Sequence, residues 1–412
     1  MAPADRVLMI AYHFPPLAGS SGIQRTLRFV QQLPDCGWEP IVLGASRHAF
    51  ERVSPDLARE VPPKLVVERA LALDTARHLA VRGRYAGALA VPDRWVSWWP
   101  HAIVKGLAMI RRYRPAVLWS TYPIATAHMI GHTLSRLSGV PWVADFRDPM
   151  AQDDYPTEPA VRRSFERIER AALARAHTAV FTTRGAADVY RNRYPQHAGK
   201  VAVIENGFDE ESFTGLASAP VRQEGPFTLL HSGIVYPSER DPRALFTALA
   251  RLHRAGRITP AQLRIRLRAA VHDGLLQTMA AEAGVADYIE LAPPLPYREA
   301  LAEMLDSDAL LVLQAANCNQ QIPAKVYEYL RARRPVLGLT DPAGDTGELL
   351  ARNGVQWIAP LDDAEAIAAA LPAFVDAARA GQVSVPTAEQ VATHSRRART
   401  AALAGVLATA AA

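Results

Sequence analysis

Lys325 and Glu328 are the two residues of this 412-residue chain whose types and spacing indicate chemistry most directly. Three residues apart, they would lie on one side of a helix, about one turn from each other. An ammonium group in the first turn of a helix suits a phosphate, because the free N–H groups there also attract an anion. A carboxylate one turn deeper suits a pair of ribose hydroxyls. The alternative is an ordinary surface ion pair between the two side chains.

The scarcity of lysine favours the phosphate interpretation. Only four of the 46 Lys and Arg residues are lysine, and Lys325 is one of them. A chain that otherwise uses arginine almost throughout keeps a compact point charge at this position, and lysine supplies such a charge where the planar guanidinium does not.

The segment around this pair predicts a βαβ unit. Residues 309–314 (ALLVLQ) and 335–339 (PVLGL) are short apolar runs typical of buried strands. Pro323 suits the first turn of the helix between them, because its missing N–H would be unpaired there anyway. The loop therefore follows the carboxyl end of a strand, which is where open parallel sheets bind ligands.

The beginning of the chain predicts a similar strand, loop and helix. Residues 6–11 form an apolar run that leads into a loop containing Gly19 and Gly22, and Arg25 lies at the start of the following helix. Small residues allow backbone N–H groups to approach a phosphate or a sugar closely. The loop matches neither GxGxxG nor a Walker motif, so a dinucleotide site and an NTPase are not supported. A flexible connection is the alternative.

Another predicted strand, residues 227–231, leads to Gly233 and Arg240. Gly233 permits close approach of the backbone, and Arg240 near the next helix start can neutralise a phosphate. Surface charge is the alternative for Arg240.

The motif Asp145-Phe146-Arg147-Asp148-Pro149 follows the predicted strand 141–144. Two carboxylates around an arginine form either a structural ion-pair turn or a site for sugar hydroxyls and acid/base chemistry. Since functional residues concentrate in loops at strand ends, we interpret Asp145, Arg147 and Asp148 as a binding site.

Composition indicates a globular protein with room for two domains: 49% of the residues are hydrophobic. The formal net charge of +5 is weak evidence for nucleic acid, because the excess of arginine over lysine resembles a coding bias. The two cysteines and the absence of zinc-type spacing predict a reduced, cytoplasmic protein. No run approaches 18 apolar residues.

Residues 91–115 combine three tryptophans with a helix that ends in basic residues. This pattern is compatible with peripheral contact with an anionic membrane. Basic residues are also favourable at the end of any helix, and the tryptophans could equally form a core or the wall of an acceptor pocket.

Asp306-Ser307-Asp308 has the spacing of a metal-binding pair of carboxylates, but it precedes a strand and so lies at the end of the sheet away from ligands. We interpret it as a turn and predict no metal site. Arginine and lysine can stabilise a departing diphosphate in place of a metal ion.

The string from Ile322 to Val336 resembles the donor-binding segment of the retaining GT-B glycosyltransferases of family 4. In that family a Glu-x7-Glu pattern holds a nucleotide sugar and a lysine binds its diphosphate. Glu328 matches the second glutamate and Lys325 the lysine, whereas Gln320 stands in the place of the first glutamate.

The resemblance implies an α/β protein of the GT-B fold, with two Rossmann-like domains facing each other across a cleft. We expect an acceptor-binding domain over residues 1–208, a linker over 209–225, a nucleotide-sugar-binding domain over 226–390 and a helix over 391–412 that crosses back to the first domain.

The resemblance also assigns roles to the candidate residues. Arg240 and Lys325 would clamp one diphosphate as catalytic cations, and Asp145 and Asp148 would be catalytic residues that, with Arg147, face the acceptor. The remaining donor-binding candidates are Gly19, Gly22, Arg25, Gly233, Gln320, Ile322 and Glu328.

The predicted function is a metal-independent, retaining transfer of a hexose-type sugar from a nucleotide-diphosphate sugar to a hydroxyl. We expect a UDP-sugar first and a GDP-sugar second, no cofactor and no nucleic-acid partner. The expected acceptor is a lipid-linked saccharide of bacterial polysaccharide or glycolipid synthesis. A sugar-nucleotide epimerase and a non-catalytic nucleotide-sugar or glycan-binding protein remain as alternatives.

Overall fold

The computed structural model describes residues 5–20, 22–152 and 155–412. The chain divides into two compact units, and the second lies within the sequence of the first. Unit 1 is Met1–Asn206 with Arg396–Ala412, and unit 2 is Gly207–Ser395.

Unit 1 is built on a seven-stranded parallel sheet in the order β3-β2-β1-β4-β5-β6-β7. Its strands are β1 (Asp5–Ile10), β2 (Trp38–Ala45), β3 (Val66–Ala70), β4 (Val117–Thr121), β5 (Trp142–Arg147), β6 (Thr178–Phe181) and β7 (Val201–Val203). Its first seven helices are α1 (Gly22–Gln32), α2 (Pro55–Arg59), α3 (Thr75–His78), α4 (Trp98–Tyr113), α5 (Ala125–Ser138), α6 (Pro159–Arg175) and α7 (Arg184–Arg193).

The strand order of unit 1 reverses between β1 and β4. Such a reversal separates the loops that follow the two strands and leaves a crevice at their carboxyl ends, where open α/β sheets bind ligands. The loop after β1 carries Gly19 and Gly22. The sequence-predicted glycine loop therefore lies at this switch point.

Both faces of this sheet are covered, which explains why its central strands are continuously apolar. Along β1, Leu8 and Ile10 belong to one buried cluster, and Val7 and Met9 belong to the cluster on the other face. This alternation is the period of two that side chains follow along a strand.

Unit 2 is built on a six-stranded parallel sheet in the order β10-β9-β8-β11-β12-β13, and it reverses between β8 and β11. Its strands are β8 (Phe227–Ser232), β9 (Leu263–Arg268), β10 (Ile289–Ala292), β11 (Ala309–Leu313), β12 (Val336–Leu339) and β13 (Ile358–Ala359). Its helices are α8 (Arg243–Arg254), α9 (Asp273–Glu282), α10 (Tyr297–Asp306), α11 (Ala324–Ala332), α12 (Asp345–Arg352), α13 (Ala364–Arg379) and α14 (Ala388–Thr393).

The last helix, α15 (Arg396–Ala411), belongs to unit 1. Leu403 and Leu407 are buried there beside Leu27 and Val30 of α1. Within the described residues, no helix is both long enough and apolar enough to cross a bilayer.

Two local predictions were wrong. Asp145 and Arg147 lie within β5 and not in the loop after it, because the strand continues its pairing with β6 through a register shift. Pro323 is the N-cap of α11 and not a first-turn residue.

The turn predicted at Asp306-Ser307-Asp308 is confirmed. Asp306 ends α10, and the Asp308 carboxylate accepts hydrogen bonds from the backbone N–H groups of Arg222 and Thr228 at distances of 2.7 and 2.8 Å. Asp306 and Asp308 also form ion pairs with Arg222. The two carboxylates thus fasten the chain at the amino end of the second sheet.

Candidate active site

The strongest candidate site in unit 2 forms where β8 and β11 diverge. β8 brings His231 and Gly233 to the carboxyl edge of the sheet, and α11, which follows β11, brings Lys325. The Lys325 ammonium lies 3.0 Å from Nε2 of His231. The parallel sheet thus places residues 94 positions apart in direct contact.

The tautomer of His231 follows from its two hydrogen bonds. Nδ1 lies 2.9 Å from the carbonyl oxygen of Leu311, which can only accept, so Nδ1 carries the proton. Nε2 is then the acceptor for Lys325. Burial and the neighbouring lysine lower the pKa of His231 well below its ordinary value, which keeps the imidazole neutral.

Lys325 is held in an environment that disfavours its charge. Burial, followed by the nearby Arg240 guanidinium, lowers the pKa of the Lys325 ammonium well below its usual range, and Glu328 opposes this shift. A bound anion would reverse the effect, since it would neutralise both cations. An anion at this position would therefore be favoured by both Lys325 and Arg240.

Gly233 is required by this arrangement. Its φ of +118° lies in a region that residues with side chains rarely adopt. A Cβ atom at this position would lie 2.9 Å from the Lys325 ammonium nitrogen. The glycine therefore makes space for the lysine as well as for the turn.

Arg240 is positioned by its own loop. Nη1 donates to the carbonyl oxygen of Ile234 at 2.5 Å, and the guanidinium lies over the ring of Tyr236, 5.2 Å from its centroid. These contacts occupy one nitrogen and one face of the guanidinium.

Glu328 lies one turn beyond Lys325 on α11, and a second helix orients it. The Tyr297 hydroxyl at the start of α10 donates to Oε1 of Glu328 at 2.8 Å. Ile322 is buried beside this helix, whereas Gln320 is exposed in the preceding loop.

The loop between β11 and α11 is fastened by side chains that the sequence did not single out. The amide of Gln314 donates to the carbonyl oxygens of Cys318 and Gln321 at 2.7 and 2.9 Å. Asn317 donates to the carbonyl oxygen of Ser238 at 3.0 Å, which ties this loop to the one after β8. The two loops that carry the candidate donor residues are therefore held together.

In unit 1 the structure buries two of the predicted site residues against each other. Arg25 and Asp145 form a bidentate ion pair with distances of 2.9 and 3.1 Å, and their side chains are 4% and 0% exposed. Arg25 also donates to the carbonyl oxygens of Ile204 and Glu205, and the hydroxyl of Thr121 donates to Asp145. Neither side chain is free for a donor phosphate or an acceptor hydroxyl. The structural ion-pair alternative describes this pair better.

Arg147 and Asp148 remain at the carboxyl end of β5. Nη1 of Arg147 donates to the carbonyl oxygen of Tyr122 at 3.2 Å, and Nε has no hydrogen-bond partner. Oδ1 of Asp148 lies 3.4 Å from the hydroxyl of Thr182. These are the two acceptor-side candidates that the structure leaves at the ligand edge.

Gly22 makes space for Arg147 in the way that Gly233 makes space for Lys325. A Cβ atom on Gly22 would collide with the guanidinium of Arg147 and would lie 2.9 Å from Nδ1 of His13. His13 lies 3.0 Å from the hydroxyl of Ser20, and burial beside Arg147 lowers its pKa to about 4.

A cavity of about 260 Å³ adjoins this loop, with Gly19 and His13 among its lining residues. Sequence reasoning missed His13, His231 and Tyr297. The position of each histidine at the end of a predicted strand, beside a glycine loop, was the available signal.

The comparisons with known proteins agree with this architecture. Residues 21–207 match the model of the glycosyl transferase 4-like domain. No curated protein sequence matches the chain.

Solved structures match almost the entire chain. Sucrose-phosphate synthase from Thermosynechococcus elongatus is 14% identical with a TM-score of 0.67, and the match covers 98% of each chain. Anabaena HepE in complex with UDP is also 14% identical with a TM-score of 0.67, covering 98% of this chain and 100% of that one. The lipopolysaccharide outer core galactosyltransferase WaaB is 10% identical with a TM-score of 0.62, covering 97% and 99%.

At these identities the likeness establishes the fold, and the predicted GT-B fold is confirmed.

Proposed function

We propose that this chain, which has the GT-B fold, is a glycosyltransferase of the family 4 group that transfers a hexose from a UDP-sugar to a hydroxyl of a lipid-linked saccharide. The observation that carries the proposal is the cluster of Lys325, His231, Gly233 and Arg240 at the switch point of unit 2. Two neighbouring cations suit a diphosphate better than any neutral ligand.

Two printed descriptions of the structural neighbours support the choice of substrates. HepE was solved with UDP and with UDP-glucose, which supports a uridine nucleotide as the first choice of donor and leaves a GDP-sugar as the second. WaaB is described as a galactosyltransferase of the lipopolysaccharide outer core, which supports a saccharide carried on a lipid as the acceptor.

In the proposed reaction the bond between the sugar C1 and the diphosphate oxygen breaks, and a bond from the acceptor oxygen to C1 forms. Lys325 and Arg240 stabilise the negative charge that develops on the departing nucleoside diphosphate, so no metal ion is required for this step. Glu328 holds the ribose hydroxyls. The acceptor proton passes to the leaving phosphate oxygen, and the anomeric configuration is retained.

Peripheral membrane contact is proposed through α4. Val104 on this helix is 74% exposed, and Arg111 and Arg112 near its end are basic. If the wild type binds anionic vesicles and Val104→Glu binds them more weakly, the contact through α4 is supported. Equal binding by both proteins would exclude α4 as the membrane contact.

Isothermal titration with UDP-, GDP-, ADP- and dTDP-sugars in the presence of a chelator tests the donor assignment. We expect micromolar binding of one nucleotide class to the wild type, loss of that binding in Glu328→Ala, and unchanged binding in the control Glu389→Ala, an exposed glutamate of α14. Equal binding by wild type and Glu328→Ala would refute the site.

Turnover separates the two alternative functions. A UDP-sugar that is converted when no acceptor is present would identify an epimerase. Donor binding without turnover for any acceptor would identify a binding protein.

A further inference from the structure

Unit 1 contains a cavity of about 1250 Å³ between residues 85–95 and helix α6. Its floor includes Pro123 and Ile124, which directly follow β4. The cavity therefore opens at the carboxyl edge of the sheet beside the switch point. It exceeds the roughly 300–1,000 Å³ of a typical small-molecule site, so it has room for a ligand larger than one sugar ring.

The wall of this cavity is largely apolar and aromatic. Trp95, Phe165, Val161 and Ile124 line it, and Tyr85 and Tyr155 stand at its sides with 39% and 50% of their surface exposed. Exposed aromatic rings around a concave surface suit a ligand with an apolar part, since burial of that part removes both surfaces from water.

Two arginines on α6 give the same cavity a positive side. Arg163 and Arg167 are one helical turn apart, both are exposed and both line the cavity. Neither has an ion-pair partner among the residues that the structure describes. Their guanidinium groups are available to bind a phosphoryl group in a bidentate manner.

The other charged residues of the cavity do not cancel this positive side. Asp93 accepts hydrogen bonds from the backbone N–H and the hydroxyl of Thr126 at 2.8 and 2.9 Å. Arg94 is engaged with Asp74. Among the lining residues that the structure describes, Glu158 is the remaining acidic one, against the two arginines of α6.

A chain of contacts links the wall of this cavity to the strand-end residues already described. Tyr155 contacts the ring of Phe165, with 6.3 Å between centroids, and hydrogen bonds to Tyr122. Burial, followed by the charges of Tyr155 and Asp148, raises the pKa of the Tyr122 hydroxyl. The carbonyl oxygen of Tyr122 accepts a hydrogen bond from Arg147. A ligand in the cavity can therefore reach the carboxyl edge of the sheet with one end.

We propose that this cavity binds the acceptor, and that the acceptor is an amphiphile in which an apolar chain adjoins a phosphoryl or diphosphoryl group. The apolar chain packs against the aromatic wall, Arg163 and Arg167 bind the phosphoryl group, and the saccharide part extends toward Asp148. This inference rests on the proposed glycosyltransferase function, and it moves the acceptor away from the buried Asp145.

Titration with geranyl diphosphate tests the proposal on the full chain in saturating UDP, so that Lys325 and Arg240 are already occupied. We expect geranyl diphosphate to bind, and to bind more tightly than geraniol, inorganic diphosphate or glucose 6-phosphate. The double variant Arg163→Ala/Arg167→Ala is expected to lose about 10- to 100-fold in affinity, the range for charge-assisted hydrogen bonds.

The matched control is Arg170→Ala, because Arg170 is an exposed arginine of the same helix that does not line the cavity. Its affinity for geranyl diphosphate should equal that of the wild type. An equal loss in the control and the double variant would overturn the proposal, because it would indicate a general charge effect. Glucose 6-phosphate binding as tightly as geranyl diphosphate would overturn the apolar requirement.

Measurement of UDP and UDP-sugar binding separates a failure of the acceptor proposal from a failure of the proposed function. If UDP and the UDP-sugar bind but geranyl diphosphate does not, the acceptor proposal fails and the donor assignment stands. If no nucleotide sugar binds in any condition, the proposed function fails as well.

Discussion

Lys325 faces a neutral imidazole where a surface lysine would face a carboxylate, and this difference determines its chemistry. The Leu311 carbonyl oxygen fixes the tautomer of His231, so Nε2 can accept from the ammonium but cannot neutralise it. Arg240 adds repulsion. The ligand-free site is therefore short of negative charge, which a diphosphate supplies.

When the donor binds, Lys325 is expected to take up a proton. The pKa of Lys325 in the free protein lies well below its usual 10.5, so above that lowered pKa the side chain is neutral. A bound diphosphate raises the pKa again, hence affinity should fall as pH rises through this window. Titrations in two buffers of different ionisation enthalpy measure the uptake. Lys325→Met should abolish it and weaken UDP binding about 10- to 100-fold; an unchanged uptake in this variant would contradict the assignment.

Asp145 is expected to stabilise the folded protein. Asp145→Asn leaves the buried Arg25 without a charged partner and should lower the free energy of unfolding by about 3–5 kcal/mol in denaturant titrations. The double variant Arg25→Met/Asp145→Leu should recover much of this loss. The exposed pair Arg59–Asp56 provides the control, since Asp56→Asn should cost less than about 1 kcal/mol. Unchanged stability with lost turnover would instead support the catalytic role.

At the scale of elements, the two units share one packing feature. In each unit, a glycine near the switch point leaves room for a cationic side chain that comes from an element later in the chain. Gly22 at the start of α1 accommodates Arg147 from β5, and Gly233 after β8 accommodates Lys325 from α11. The glycines had been interpreted as sites of close approach to the ligand. The structure shows that they also admit the residues that would bind it.

Gly233→Ala should therefore weaken donor binding without removing any binding group. The φ of +118° and the contact of the new Cβ with Lys325 would displace the lysine and strain the turn by about 1–3 kcal/mol. Because the displaced Lys325 ammonium would contact the diphosphate less well, we expect titration to show at least about a tenfold loss of UDP affinity. Gly405→Ala in α15, where a Cβ meets open space, should leave affinity unchanged and stabilise the helix by about 0.5–1 kcal/mol. Wild-type affinity in Gly233→Ala would refute the packing argument.

At the scale of the whole molecule, both sheets are covered on both faces. Histidines are buried in the two cores. His128 is completely buried beside β4, where Nδ1 lies 2.8 Å from the hydroxyl of Ser120. That hydroxyl also accepts a hydrogen bond from the indole N–H of Trp142. Protonation of His128 would place a positive charge in this buried site.

Acid should destabilise the protein through this residue. Burial lowers the pKa of His128 to about 3, compared with 6.5 for an unperturbed histidine. Between these values the unfolded state binds more protons, so stability is lost as pH falls below 6.5. At pH 4 the loss from this one group is about 3 kcal/mol. Urea unfolding at pH 7 and pH 4 should show a smaller acid loss in His128→Phe; an equal loss would exclude His128 as the cause.

Local patterns in the sequence were sufficient for several strand, loop and helix units. Apolar runs and glycine loops predicted the strands that lead to Gly19, Gly233 and Lys325, because strand period, helix period and turn residues act over a few neighbouring positions. The same rules predicted that Asp306 and Asp308 form a turn. The arrangement of these units in two GT-B domains was predicted from the family resemblance.

Contacts between distant segments were beyond such patterns. Whether Asp145 faces a ligand or Arg25 depends on which strands are neighbours, and β5 lies 120 residues from its arginine partner. The edge strand β3 forms because β2 offers it a pairing partner, and not because its own residues alternate strongly. Residue types determined what chemistry the chain can perform, and the packing of the two sheets decided which charged groups neutralise one another and which remain available to bind a substrate.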